Sequence, residues 1–379
     1  MSDPRQSSTS CVSLCSRRRS NRPMVLHLLR AAGSSASSSA TPARCNCLSL
    51  AYCQKAGTAI EKPVRIWYAF SMGHFRRALD AHYHGYGAAV MAVLNATPDS
   101  FYDGGAYVGQ RATIRVDELC RDGAFVIDVG GESTRPGAAS IPTKEQLERI
   151  EPAVRSAVAL SRRVDNLWVS IDTCDPQVAE VALGWGAHIV NDVSCLANPE
   201  LARVAARAGC ALLVMHARGA MAEMRGFSEY PDSAYADVVR EVAQEWSLAR
   251  ERALASGLSV EDILFDPGIG FSKNARQSCE LLRRLDEFAK LGAPVVVGPS
   301  RKSFLNLVEV RPAEQRLGAT IAACLHAAER GARMVRVHDV LEVRQALQAK
   351  RLFTHGAFAE FERDRCGSSR YDLAHTEGV

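Results

Sequence analysis

AFVIDVGGESTRPGA, residues 124–138, joins an unbroken apolar run to a cluster rich in glycine and polar side chains. The same plan recurs along residues 88–348, and helix-like stretches separate most of the apolar runs. Unbroken apolar runs are typical of parallel strands whose two faces are both covered, whereas half-exposed strands alternate apolar and polar residues. The predicted strands are 88–95, 124–130, 167–172, 188–193, 211–216, 262–266, 294–298 and 334–339.

This succession of strands and helices predicts an α/β protein with a single (β/α)8 TIM barrel. Glycine follows several helix-like stretches, as at Gly186 and Gly209, which is a common end signal of a helix. Eight units in about 260 residues also match the size of such a barrel. A doubly wound open sheet is the alternative, but its nucleotide-binding version carries GxGxxG after the first strand, where this chain has NATPDSFYDGG. The carboxyl ends of barrel strands share one face, so their polar residues should line one pocket.

Three segments are expected along the chain: an extension over 1–83, the barrel over 84–350 and a C-terminal extension over 351–379. The first segment is rich in Ser and Arg and lacks periodicity, so we expect it to be disordered. A transit peptide has this composition, and Met72 is an alternative start for the protein. We expect a cytoplasmic protein. An organelle is the alternative if residues 1–71 form a transit peptide.

The composition favours a globular enzyme over a membrane protein or a nucleic-acid-binding protein. Of the 379 residues, 47% are hydrophobic, yet no apolar run approaches the roughly 18–20 residues of a membrane span. The chain carries a net charge of +4, but a Lys- and Arg-rich segment precedes Met72 with only Asp3 and Glu61 to oppose it, so the remainder is mildly acidic. The 12 cysteines lack CxxC spacing, which favours reduced thiols in the cytoplasm over a zinc site.

Polar side chains at three strand ends indicate a site for a flat nitrogen heterocycle. Asp172, Asn191 and Asp266 end the third, fourth and sixth strands. Carboxylate and amide oxygens accept hydrogen bonds from ring N–H and amino groups. The alternative role of each residue is to cap the following helix. Lys302 follows the seventh strand on the same rim, and this combination favours a ligand such as a pterin or a purine.

Other residues on this rim suit an anion. Arg336 and His338 alternate near the end of the eighth strand, so both should point inward and clamp a diphosphate. After the seventh strand, the segment SRKS is expected to begin a helix, where Lys302 and Ser303 would contribute hydrogen-bond donors to an anion site.

Two further segments add polar groups to the predicted pocket. The glycine-rich loop after the second strand carries Thr134 and Arg135, whose donors would contact an anion. Asn95 ends the first strand, and its amide oxygen could serve as one protein ligand of Mg2+, which commonly takes its other oxygens from water and substrate phosphates.

With these segments in place, the chain resembles the dihydropteroate synthase family, the sulfonamide targets of folate synthesis. The resemblance spans about residues 88–348 and depends on NATPDSFYDGG, DVGGESTRPGA, SRKSF and RVHDV. The family implies a transferase that condenses 6-hydroxymethyl-7,8-dihydropterin diphosphate with 4-aminobenzoate, giving 7,8-dihydropteroate and diphosphate with Mg2+ as cofactor. It also implies a homodimer formed through helices near the end of the barrel.

Carried over position by position, the resemblance assigns roles to the site residues. The residues at the pterin positions are Asp172, Asn191, Asp266 and Lys302. Those at the diphosphate and Mg2+ positions are Asn95, Thr134, Arg336 and His338. Those at the aminobenzoate positions are Arg135, Pro136, Phe271 and Ser303. The mobile first loop contributes Asp99 and Phe101. The residues expected to be catalytic are Lys302, Asp266, Arg336 and His338.

The resemblance implies a dissociative displacement without a covalent enzyme intermediate. A pterin-binding methyltransferase of the corrinoid type is the first rival, but it has no diphosphate to hold and would leave RVHD, STRPG and SRKS unexplained. A non-catalytic pterin-binding homologue is the second rival, and the intact ligand set argues against it. Ser272, Asn274 and Ser278 depart from the family pattern, so loop mobility on the aminobenzoate side is expected to differ.

Overall fold

The computed structural model describes residues 73–96, 108–132, 141–219 and 229–356, apart from the side chains of 108–110 and His355. The strands are β1 (Ala89–Asn95), β2 (Val126–Gly130), β3 (Trp168–Asp172), β4 (Ile189–Asp192), β5 (Ala211–Met215), β6 (Ile263–Asp266), β7 (Val296–Val297) and β8 (Met334–Val337). The helices are α1 (His74–Tyr86), α2 (Val108–Arg121), α3 (Thr143–Ser161), α4 (Pro176–Trp185), α5 (Glu200–Ala208), α6 (Val238–Ala255), α7 (Ala275–Arg283), α8 (Leu317–Glu329) and α9 (Val340–His355). Each strand lies within the range predicted for it.

The strands form one parallel sheet that closes into a barrel. Neighbouring strands pair in the order β6-β5-β4-β3-β2-β1-β8-β7. The remaining gap, between β6 and β7, is bridged where Phe265 pairs with Val295. The Phe265 N–H also donates to the Pro294 carbonyl at 3.0 Å. The described part of the chain therefore confirms the predicted (β/α)8 barrel.

Two apolar clusters pack on the two sides of the barrel wall. Outward side chains such as Ile127 and Val129 pack in a large cluster that also contains the buried side chains of the helices. Inward side chains near the amino ends of the strands form a separate cluster inside the barrel. We call this inner cluster the barrel floor; its members are Phe75, Leu79, Ala89, Met91, Phe125, Val126, Trp168, Ile189, Ala211, Leu213, Leu264, Val296 and Met334.

Helix α1 corrects the predicted start of the folded domain. Residues 74–83 were expected to belong to a disordered extension, yet they form most of α1. Phe75 and Leu79 lie on one side of this helix and are buried in the barrel floor. Just before the helix, the Gly73 N–H donates to Asp262 Oδ1 at 2.8 Å. This packing and this hydrogen bond explain why the segment is folded. Its single apolar face consists of few residues in a polar stretch, so the sequence gives little indication of a helix.

The chain after β7 also differs from the expectation. A short 3-10 helix, Ser303–Leu307, follows Lys302, and the next α-helix begins only at Leu317. A helix therefore does begin at SRKS as predicted, but it is a 3-10 helix of five residues and not an α-helix. Pro312 explains part of the difference, because it has no N–H to donate and disfavours helical geometry in the residue before it.

Helix α9 continues five residues past the predicted domain end at 350, to His355. Residues 1–72 and 357–379, which include most of both predicted extensions, lie outside the described residues. Within the described ranges, none of the helices combines the length and apolar character needed to cross a membrane.

Candidate active site

The carboxyl ends of four neighbouring strands place polar residues side by side. One lateral row in the register of β1 to β4 contains Asn95, Gly130, Asp172 and Asn191. Asp128 lies two residues before Gly130 and therefore points to the same side of β2. Asn191 Nδ2 donates to Asp128 Oδ2 at 3.0 Å, so these side chains meet inside the barrel.

Arg336 reaches these carboxylates from β8. Its Nε donates to Asp128 Oδ2 at 2.7 Å, and its Nη2 donates to Asp172 Oδ2, also at 2.7 Å. The exposed fraction of the Asp128 side chain is 0% and that of Asp172 is 6%. Burial lowers the pKa of Arg336, but Asp128 and Asp172 outweigh it and raise the net pKa. The guanidinium therefore stays charged between two buried carboxyl groups.

Two oxygens in this cluster have unused hydrogen-bonding capacity. Among the described residues, neither Asp128 Oδ1 nor Asp172 Oδ1 has a hydrogen-bond partner, and both atoms are buried. Leaving a buried acceptor unsatisfied costs about 1–3 kcal/mol. Burial also raises the pKa of Asp172 to about 7, against the opposing effect of Arg336. An N–H donor on a ligand would remove this cost, so the cluster is suited to the donor edge of a heterocycle.

Lys302 forms the other side of the site. Its Nζ donates to the Ile269 carbonyl and lies 4.5 Å from the centroid of the Phe271 ring. Burial lowers the pKa of Lys302 to about 8, although Asp266 acts in the opposite direction. Asp266 Oδ1 accepts from the Gly268 N–H at 2.7 Å. Burial raises the pKa of Asp266, and Lys302 and Arg336 oppose that rise.

These two halves belong to one pocket. A Cβ added at Gly298 would lie 3.9 Å from Lys302 Nζ and 3.8 Å from Arg336 Cβ. The Lys302 amino group and the base of the Arg336 side chain therefore both lie beside Gly298, just after β7. Arg336 binds Asp172, and Asp266 interacts electrostatically with both Lys302 and Arg336. The residues predicted to bind the heterocycle therefore lie around one site.

His338 lies at the edge of this pocket. The Ser300 hydroxyl accepts from the His338 N–H at 3.2 Å and lies 3.0 Å from His338 Nδ1. The Ser300 hydroxyl has one hydrogen to donate, and when it donates to Nδ1 the ring proton is on Nε2. Burial, with a further contribution from Arg336, lowers the pKa of His338 to about 4. The neutral imidazole can therefore offer one N–H donor.

Comparison with known proteins places the chain among its relatives. The model of the family described as "Pterin binding enzyme" matches residues 91–338. The chain belongs to the pterin-binding enzyme family.

Several relatives carry one enzyme name. The dihydropteroate synthase of Synechocystis is 42% identical over 254 residues, covering 66% of this chain and 85% of that protein. A solved structure of Xanthomonas albilineans dihydropteroate synthase with 4-aminobenzoic acid is 35% identical, with a TM-score of 0.64, and the match covers 71% of this chain and 94% of that one. The same enzyme in complex with 7,8-dihydropteroate is 33% identical, with a TM-score of 0.62 and the same coverage of 71% and 94%.

The site residues predicted from sequence fall into three groups. The pocket contains Asp172, Asn191, Asp266, Phe271, Lys302 and Arg336. Its rim includes Asn95, Ser303 and His338. Outside the described residues lie Asp99, Phe101, Thr134, Arg135 and Pro136. The guanidinium of Arg336, expected beside a diphosphate, is held by two carboxylates next to the ring-binding residues.

Sequence reasoning missed two parts of the site. Asp128 lies within DVGGESTRPGA but is not among the predicted site residues, although its position two residues before Gly130 on β2 indicates that it points into the barrel. Lys273 was also missed, and it is fully buried behind the pocket. Lysine is rarely buried, so a lysine in a polar loop is ordinarily expected at the surface. No local pattern distinguished it.

Ser272, Asn274 and Ser278, the three residues that depart from the family pattern, have structural roles after the loop that carries Asp266 and Phe271. Ser272 Oγ donates to the Arg218 carbonyl at 2.8 Å and accepts from its N–H at 2.9 Å. The Asn274 side chain caps α7. Ser278 Oγ donates to the Asn274 carbonyl at 2.8 Å. Each side chain thus holds local backbone in place.

Proposed function

We infer that this protein is a dihydropteroate synthase. It condenses 6-hydroxymethyl-7,8-dihydropterin diphosphate with 4-aminobenzoate and yields 7,8-dihydropteroate and diphosphate. The inference depends above all on one observation: Arg336 lies between the buried carboxyl groups of Asp128 and Asp172, each of which has one oxygen without a hydrogen-bond partner among the described residues, and the buried Asp266 interacts electrostatically with both Lys302 and Arg336. Membership in the pterin-binding enzyme family and the names of the relatives support it.

The pocket residues suit the pterin ring by their hydrogen-bonding capacity. A pterin offers ring N–H and amino donors along one edge, and Asp172 and Asp266 are buried carboxyl acceptors at strand ends. Asn191 uses its Nδ2 on Asp128, which leaves its amide oxygen as an acceptor. Lys302 supplies a donor for an acceptor atom of the ring.

The same carboxyl groups favour charge separation. When diphosphate leaves, positive charge develops on the pterin methylene group and is delocalised into the ring. Asp172 and Asp266 are fixed before the reaction, so they stabilise this charge without reorganisation. The weakly basic arylamine then attacks and needs little assistance from a base. We therefore propose a dissociative displacement with no covalent enzyme intermediate.

Arg336 and His338 would bind the departing diphosphate at the strand ends. Asn95 is exposed at the end of β1, so its amide oxygen is accessible to a cation that also contacts the substrate. Within the described residues, no group of three or more His, Cys, Asp or Glu side chains could hold a metal alone. This fits Mg2+ held by Asn95, water and diphosphate, where the ion would neutralise charge on the leaving group.

The aminobenzoate side is proposed from fewer described residues. Phe271 supplies an aromatic face beside Lys302, and Ser303 begins the adjacent 3-10 helix. Arg135 and Pro136 would complete this side from the loop after β2, where Thr134 would contact the diphosphate.

A diphosphate-release assay tests the proposed function. The purified full chain is mixed with dihydropterin diphosphate and Mg2+, with and without 4-aminobenzoate, and 7,8-dihydropteroate is identified by mass spectrometry. Release that depends on 4-aminobenzoate and matches product formation is the expected result. A methyltransferase or a non-catalytic pterin binder would release no diphosphate, and either outcome would refute the proposal.

We also propose that the protein is a cytoplasmic homodimer. Its barrel domain would run from about residue 73 to the end of α9, in place of the range 84–350 predicted from the sequence. Cys210 and Cys324 are buried free thiols, and Cys174 and Cys195 are partly buried free thiols, which suits a reducing compartment. Leu307, Val308 and Val310 are exposed apolar residues before α8 and could be covered by a second copy. Sedimentation of the full chain would test the dimer, and imaging of chains begun at Met1 or Met72 would test the compartment.

A further inference from the structure

A buried lysine lies outside the set of residues used above. Lys273 is 0% exposed and follows the loop that carries Asp266 and Phe271. Its Nζ lies 2.9 Å from His216 Nδ1, 3.1 Å from the Gly268 carbonyl and 2.8 Å from the Phe271 carbonyl. The His216 carbonyl lies farther away, at 3.5 Å. Burial lowers the pKa of Lys273 to about 7, against the opposing effect of Asp266. In its protonated form the amino group has three N–H donors, and here each has a near acceptor.

The hydrogen bonds continue from Lys273 to the surface. Because His216 Nδ1 accepts from Lys273, its proton is on Nε2, which donates to Glu245 Oε2 at 3.0 Å. Burial, followed by Lys273, lowers the pKa of His216 to about 4, so the imidazole is neutral. Arg218 Nε donates to both Glu245 oxygens at 3.0 Å. In this series of hydrogen bonds from Lys273 to Arg218, every donor faces an acceptor.

The loop over residues 266–271 lies between two lysines. Lys273 binds the carbonyls of Gly268 and Phe271, whereas Lys302 binds the carbonyl of Ile269. Gly268 has φ +67°, and a Cβ there would lie 2.0 Å from the His216 carbonyl. The backbone at Gly268 therefore packs directly against His216, the residue that follows β5. Together with the two hydrogen bonds from Lys273, this contact leaves the loop little freedom to move.

We propose that Lys273 is a positioning residue for the reaction: its buried ammonium group fixes the 266–271 loop and thereby places Asp266, the Ile269 carbonyl and the Phe271 ring around Lys302. Lys273 does not contact substrate in this assignment. The proposal deepens the proposed function and rests on it where catalysis is concerned, because the loop carries residues assigned to pterin and aminobenzoate binding. His216 supports Lys273 through the contact between its Nδ1 and the Lys273 Nζ.

The first test separates positioning from a purely structural role. Lys273→Met is compared with Lys290→Met, a matched change at an exposed lysine. Kinetic constants are measured separately for each substrate. We expect Lys273→Met to raise KM for dihydropterin diphosphate about tenfold, because a small misplacement of binding groups weakens every contact they make. A lower kcat with unchanged KM for both substrates would overturn the proposal, as would an equal rise in Lys290→Met.

The second test does not require activity. Hydrogen exchange of the unliganded full chain is followed in residues 266–271 and, as an internal reference, in α4 and α5. His216→Asn removes one acceptor of Lys273 but leaves the two loop carbonyls, so it should accelerate exchange in the loop about threefold and spare the reference helices. This variant decides the matter if Lys273→Met does not fold. Unchanged loop exchange would refute the positioning role even if the wild-type enzyme is active, and faster loop exchange in an inactive protein would refute only the proposed function.

Discussion

The floor and the upper end of the barrel interior are both buried, but they are built from opposite chemistry. The floor consists of apolar side chains such as Met91 and Phe125, closed below by Phe75 and Leu79 of α1. The upper end holds Asp128, Asp172 and Asp266 with Arg336 and Lys302. Burial of apolar surface stabilises the fold by about 25 cal/mol per Å2, whereas burial of charge opposes folding unless it is well compensated.

This difference teaches where stability and function reside. The floor can be explained by packing alone. The charged end cannot, because among the described residues it contains buried carboxyl oxygens without hydrogen-bond partners and a lysine, Lys302, whose pKa is lowered by burial. Clusters of perturbed groups in a pocket are typical of functional sites. Changes at the upper end should therefore affect activity first, and changes in the floor should affect stability first.

The largest effect is expected from Arg336→Met. The variant removes the cation between Asp128 and Asp172, so kcat/KM should fall on the order of 1000-fold. Its free energy of unfolding at pH 8 should fall by about 3 kcal/mol, because buried carboxyl groups lose their partner. Steady-state kinetics and urea unfolding measure the two effects. Arg203→Met is the control, since Arg203 forms an exposed ion pair with Glu200; an equal loss of activity in the control would contradict the comparison.

Lys302→Ala and Asp266→Ala should each weaken binding of dihydropterin diphosphate about 100-fold. Each variant removes one side of the buried pair and one expected contact to the ring. Calorimetric titration of the two variants and of the double variant measures their coupling. Because the residues interact, the double variant should bind more tightly than the sum of the two losses implies. Intact binding in either single variant would mean that its proposed role is wrong.

In the floor, Leu79→Ala should lower the free energy of unfolding by about 2–5 kcal/mol, because it leaves a cavity in a fully buried position. The same variant should keep kcat/KM within about twofold, since α1 lies at the opposite end of the strands from the site. Urea unfolding and kinetics on one preparation measure both. A large loss of activity without a loss of stability would reverse the division between floor and site.

The smallest effect concerns the pH dependence of stability. Burial raises the pKa of Asp172 from 3.8 to about 7. The folded state therefore retains a proton that the unfolded state has released within this window, so the contribution of Asp172 to stability should decline as pH rises from about 4 to 7. Asp172→Asn should flatten that slope and, because Arg336 keeps its ion pair with Asp128, raise stability at pH 8 by about 2 kcal/mol. Unfolding curves at several pH values decide this, and parallel wild-type and variant curves would count against it.

The barrel was predictable from sequence because every strand is an unbroken apolar run and their polar ends are distinctive. Asp172 and Lys302 were predictable because they occupy strand ends or motifs next to them. Helix α1 was not, since its apolar side consists of few residues within a polar stretch. The pairing of Arg336 with Asp128 also escaped prediction, because side chains 208 residues apart meet only through barrel closure. The position of Lys273 could not be predicted because its partners include backbone carbonyl groups, which every residue has.

The most direct test is a crystal structure of the protein with a bound pterin diphosphate. We predict that the donor edge of the ring contacts Asp172 and Asp266, that Lys302 Nζ contacts the ring, and that the diphosphate lies toward His338 and Asn95. A ring bound elsewhere, with Asp128 Oδ1 and Asp172 Oδ1 still without partners, would contradict the assignment of the charged end as the catalytic site.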